Sequence, residues 1–63
     1  MGFRWVLHDA AGTDLRGTED FASKDDAEAW MGAEWAGLLE EGAETVSLME
    51  GDDRLYRMGL REG

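Results

Sequence analysis

The feature that most constrains this chain is a bracketed run of helix-forming residues in its middle. Ser23 is a good N-cap, because its hydroxyl can accept a bond from one of the unpaired first-turn amides. Asp26, three residues on, stands where a capping-box acid would stand, and Asp25, Asp26 and Glu28 place negative charge where the helix dipole favours it. Helix-compatible residues then continue to Glu41, and Gly42 is a natural stop. The spacing predicts one helix of roughly 27 Å, at about 1.5 Å per residue. In a chain of 63 residues this leaves two flanks, each long enough for one hairpin and little else. Residues 1–63 are therefore expected to form a single domain.

Both flanks carry strand signals. Phe3, Trp5 and Leu7 alternate with Arg4, Val6 and His8, the two-residue period of a half-buried strand. Asp9 to Asp14 reads as a hairpin turn around Gly12, and Leu15 to Asp20 as the returning strand, with Gly17 weakening it or marking a bulge. After the helix, Glu44 to Glu50 predicts a third strand, Gly51-Asp52-Asp53 a tight turn, and Arg54 to Leu60 a fourth. The expected fold is α+β, ββαββ: a four-stranded antiparallel sheet with one helix packed on one face.

Helical phase from Ala27 puts Met31, Trp35 and Leu38 on one stripe, with Trp30 and Leu39 on its rims. The sheet is expected to answer with Phe3, Trp5, Leu7, Leu15, Val46, Leu48, Tyr56 and Met58. Glu34 falls near the middle of that stripe, where an unpaired carboxylate is costly. It is expected at a groove edge, paired with an arginine or an indole N–H. The sharper reading makes it a perturbed carboxylate in a small pocket beside Trp30 and Trp35. Glu40 and Glu41 oppose the dipole at the helix end, and read as solvated charge partly offset by a nearby arginine.

With one helix available, the second sheet face is expected to stay uncovered. Strict alternation lines it with Arg4, Val6, His8, Arg16, Thr18, Thr45, Ser47, Met49, Leu55 and Arg57. The bland reading is an ordinary solvated face; the functional reading is a contact surface, most simply of a homodimer.

Composition excludes several classes. There are no cysteines and one histidine, and no His-x-His or His-Glu-x-x-His pattern, so no metal or cofactor site is expected. A Ser-His-Asp set can be written from Ser23 or Ser47, His8 and many acids, and so many acids make the match uninformative. No catalytic residue is assigned, and the chain is expected not to be an enzyme. The net charge of −9, from 15 acids against 6 Lys plus Arg, argues against nucleic acid and anionic membranes and for a basic protein as partner. Such an adaptor would use Asp25, Asp26, Glu28, Glu40 and Glu41. The N-terminal residues show no secretory signal pattern and no apolar run spans a membrane, so a cytoplasmic location is expected.

Trp5-x-Leu7, Asp9, Gly12, Leu15, Phe21, Ser23 and Ala27 resemble the opening of the YegP-like domains, small ββαββ units of uncharacterised function. The resemblance covers about the first half and departs after Trp30. The whole chain also resembles short hypothetical proteins of actinobacteria, through Trp30-Met31-x-x-x-Trp35 and Val46-x-Leu48-x-Glu50. YegP-like proteins often carry paired units, which implies dimerisation here. Neither group implies a catalytic residue.

Overall fold

A computed structural model describes residues 2–60, in the order β1 Phe3–His8, β2 Asp14–Gly17, α1 Lys24–Glu41, β3 Thr45–Glu50 and β4 Asp53–Gly59. All strand pairs are antiparallel and the sheet order is β2-β1-β3-β4. The expected ββαββ fold is present, with β1 and β3 central and the two partner strands at the edges.

The helix starts and stops for the local reasons its residues supply. The amide of Asp26 donates to Ser23 Oγ at 3.1 Å, and Ser23 itself is extended. At the far end Gly42 takes φ 105°, a left-handed conformation that a side chain would strain, and its N–H bonds back into the last turn.

The core lies between α1 and one sheet face. Trp5, Leu7, Val46 and Leu48 from β1 and β3 meet Ala27, Met31 and Leu38 from the helix, closed by Ala43 and Leu60. Phe3, Phe21, Trp30, Leu39 and Tyr56 pack around this centre. Trp5 ties the layers together: its ring is fully buried and its indole N–H donates to the Ala27 carbonyl at 2.8 Å.

Two one-residue irregularities change which side chains face which way. Leu7 pairs with Arg16 but His8 pairs with Asp14, so Leu15 is the extra residue of β2. Leu48 pairs with Tyr56 but Met49 with Arg54, so Leu55 is the extra residue of β4. A bulge of this kind reverses the alternation beyond it. Arg16 therefore stands opposite Leu7 on the helix side, where strict alternation places Leu15. Leu15 is 44% exposed and Met58 38% exposed, so neither joins the core as expected.

Candidate functional site

The helix-free face is less open than one helix alone would leave it. Its centre holds a polar chain, buried at His8 and Ser47 and exposed at Asp14: Asp14 Oδ1 lies 2.9 Å from His8 Nδ1, and His8 Nε2 lies 2.8 Å from Ser47 Oγ. A carboxylate can only accept, so Nδ1 donates, and in the neutral ring Nε2 accepts the Ser47 hydroxyl proton. The turn after β1 helps cover this chain. Asp9 Oδ1 accepts the amides of Ala11 and Thr13, both at 2.9 Å, and the curled turn brings Gly12 next to the Arg57 guanidinium.

The three residues have the connectivity of an acyl-transfer relay, yet the arrangement lacks two requirements of that chemistry. Ser47 is only 1% exposed, so a carbonyl carbon has no approach to its oxygen. It also sits mid-strand between β1 and β4 partners, which commits its main chain to the sheet rather than to an oxyanion. The chain satisfies buried polar groups, and among the described residues no buried side-chain polar atom lacks a partner.

The face divides the residues expected on it. Arg4, Val6, Ser47 and Met49 line a shallow depression of about 400 Å³, together with Asp14 and Arg54. Arg57 reaches across to Thr45 Oγ1 at 3.2 Å, and His8 lies buried beside Ser47. Leu55, at the bulge, is 42% exposed. Two residues are not there. Arg16 clamps Glu41 with two bonds of 3.0 and 3.1 Å on the helix side. That bond holds the Glu41 carboxyl below its ordinary range and raises the Arg16 guanidinium. It is also the arginine expected to offset the misplaced acid at the helix end. Thr18 turns its hydroxyl onto the β1 main chain instead, accepting the Trp5 amide at 2.9 Å.

Glu34 is corrected as well. It is exposed on the helix surface rather than set at a pocket edge. Its side of the helix looks toward β2, as the Glu41–Arg16 pair shows, and β2 is a four-residue strand with every residue exposed. Nothing there covers it.

An apolar groove lies on the opposite flank, between α1 and β4. It measures about 440 Å³ and is lined by Trp5, Met31, Trp35, Tyr56, Met58 and Leu60, with Glu28 as its carboxylate. Trp35, expected in the core, is 48% exposed and forms one wall. The Tyr56 ring packs edge-on against Trp5, with centroids 5.9 Å apart, and its hydroxyl donates to Glu28 Oε2 at 3.0 Å. Burial and that carboxylate push the phenol up to about 12. The Lys24 ammonium sits 5.5 Å from the Tyr56 ring centre and 3.9 Å from Glu28. Sequence reasoning missed this groove because it counted Trp35 and Met58 as core. The signal was available: Glu28 shares the helical side of Trp35, so that side had to meet water.

No family model matches the chain, and no match was found among curated proteins or solved structures. Among the described residues no helix is long and apolar enough to cross a membrane.

Proposed function

We propose that this chain is a non-enzymatic interaction module that forms a homodimer through the free edge of β4. One observation carries the reading. Of the four large apolar side chains left exposed among the described residues, three (Trp35, Leu55 and Met58) lie on or beside β4, the seven-residue strand that ends the sheet. An edge strand offers a row of unpaired amides and carbonyls, and antiparallel pairing about a two-fold axis matches that row with its own copy. Beside such a seam Leu55 and Met58 would gain cover that the monomer does not give them. The YegP-like resemblance, with its paired units, points the same way.

Charge sets the condition under which this works. Two copies each carrying −9, about 20 Å apart, repel by roughly 3 kcal/mol at physiological salt and roughly 10 kcal/mol at 10 mM. Dimerisation is therefore expected to strengthen with salt. Sedimentation equilibrium from 10 to 500 mM NaCl is the test. The expected mass rises from 7.0 kDa toward twice that value, and Leu55→Glu with Met58→Glu holds the chain monomeric while circular dichroism stays native. A wild-type monomer at millimolar concentration in 500 mM salt ends the proposal.

A second reading, an acidic adaptor for a basic protein, is favoured by the cation already resting against Tyr56 and Glu28. Asp25, Asp26, Glu28 and Glu40 are exposed for that role, while Glu41 is engaged by Arg16. A cytoplasmic setting is assumed in both.

A further inference from the structure

We infer that the groove between α1 and β4 is a binding site for an alkylammonium group, the side chain of a lysine presented by a basic partner. This rests on the adaptor reading, whose partner chemistry it specifies, and it does not depend on β4 pairing. Edge pairing uses main-chain groups in the plane of the sheet, whereas the groove opens on the helix side.

A lysine combines an apolar stem with a compact cation, and the groove offers a place for each. Met31, Met58 and the half-exposed face of Trp35 give an apolar trough. At one side stand the Tyr56 ring and the Glu28 carboxylate, joined by their own 3.0 Å hydrogen bond. An ammonium over an aromatic face is attracted by the ring quadrupole, and a carboxylate beside it adds a charge-assisted bond. The chain already demonstrates the pairing. Lys24 places its ammonium 5.5 Å from the Tyr56 centroid and 3.9 Å from Glu28, although Lys24 itself is half-exposed and lies outside the groove lining. That internal cation lies within ion-pair range of the same carboxylate and beside the same ring, so it competes for them. The −9 chain draws cations toward itself from a distance, which favours a lysine-bearing partner over a neutral apolar one. The trough, about 440 Å³ in all, is within the range of small-ligand pockets.

The test uses two blocked heptapeptides, identical except for lysine or norleucine at the centre. Binding is followed through the indole N–H resonance of Trp35 and the ring resonances of Tyr56, with sedimentation run in parallel. The lysine peptide is expected to shift both sets, and the norleucine peptide to bind at least tenfold more weakly. Lys24→Ala is expected to tighten lysine-peptide binding about threefold or more by removing the competitor. Glu28→Gln, which keeps a partner for the Tyr56 hydroxyl, is expected to weaken it at least tenfold. Equal affinity for the two peptides overturns the lysine assignment, as does an unchanged affinity in Lys24→Ala. Absence of any shift at Trp35 and Tyr56 overturns the site itself. The salt-dependent mass, measured separately, is unaffected by any of these outcomes and judges the dimer alone.

Discussion

Replacing Trp5 with phenylalanine tests the geometry on which the functional argument stands, namely that the helix covers β1 and β3 and leaves Trp35 at a groove. Trp5 is fully buried and its indole N–H bonds the Ala27 carbonyl at 2.8 Å. Within an α-helix that carbonyl also faces the amide four residues on, so the mutation does not orphan it. The lost bond then costs about 1 kcal/mol. Removing the second ring gives up about 40 Å² of apolar burial, worth about 1 kcal/mol. The void it leaves, at most about 40 Å³, adds up to about 1 kcal/mol. The sum, about 3 kcal/mol, is large for a chain of this length, whose whole stability is expected at roughly 3–9 kcal/mol. Trp35→Phe changes a ring that is 48% exposed, and its expected cost is below about 1 kcal/mol. Urea unfolding followed by far-ultraviolet circular dichroism measures both, at a protein concentration and salt at which sedimentation gives the mass of a single chain. Equal losses, or a greater loss at Trp35, would refute the assignment of Trp5 to the core and Trp35 to the groove.

Further outcomes follow from other contacts. His8→Phe strands the buried Ser47 hydroxyl, at an expected cost of about 1–3 kcal/mol, and Ser47→Ala added to it recovers part of that loss in a double-mutant cycle. Gly42→Ala puts a side chain at φ 105° and is expected to cost about 1 kcal/mol by chemical denaturation. The Tyr56 phenol, followed by its absorbance at 295 nm, is expected to ionise near 12, with the Tyr56→Phe variant as the blank. Because its folded value lies above the ordinary 10, the neutral phenol contributes stability that is whole below pH 10 and is lost as pH rises through 12. Arg16→Ala is expected to return the Glu41 carboxyl toward its ordinary range in a carbon-detected NMR titration, since the Arg16 bond is the first cause of its depression.

Much of the fold was legible because its signals are local. Ser23 and Gly42 mark the helix ends through groups within a few residues of themselves, and the Phe3–His8 alternation needs no partner to be read. The faces of β2 and β4 were not legible, because a bulge is a property of a pair of strands. Leu15 and Leu55 become extra residues only against Leu7–His8 and Leu48–Met49. One such residue moved Arg16 to the helix side and put Leu15 in water. Glu34 failed for a different reason. Helical phase gives direction around the axis but not the extent of what lies opposite, and the short β2 leaves that side bare. The same omission concealed the groove: phase pointed Trp35 toward the sheet, while the gap between α1 and β4 determined how far it was covered.

The two sheet edges differ in a way that bears on where a partner would bind. On the β2 side the edge is short, its bulge breaks the alternation, and Arg16 fastens it to the helix end. The central polar groups of the helix-free face are satisfied by the Asp14–His8–Ser47 chain, so that face has no unmet hydrogen-bonding demand at its centre. β4 also carries devices that discourage chance pairing, a bulge at Leu55 and the charges of Arg54 and Arg57. Those devices protect against indiscriminate strand addition, but they do not account for two apolar side chains of the same strand, Leu55 and Met58, left in water. Protection alone would favour polar residues at Leu55 and Met58, neither of which is buried in the core. Under the proposed edge pairing, Met58 beside a groove that holds a tryptophan, a tyrosine and an acid would supply what a selective edge requires: main-chain groups to give affinity, and flanking side chains to restrict which strand is accepted.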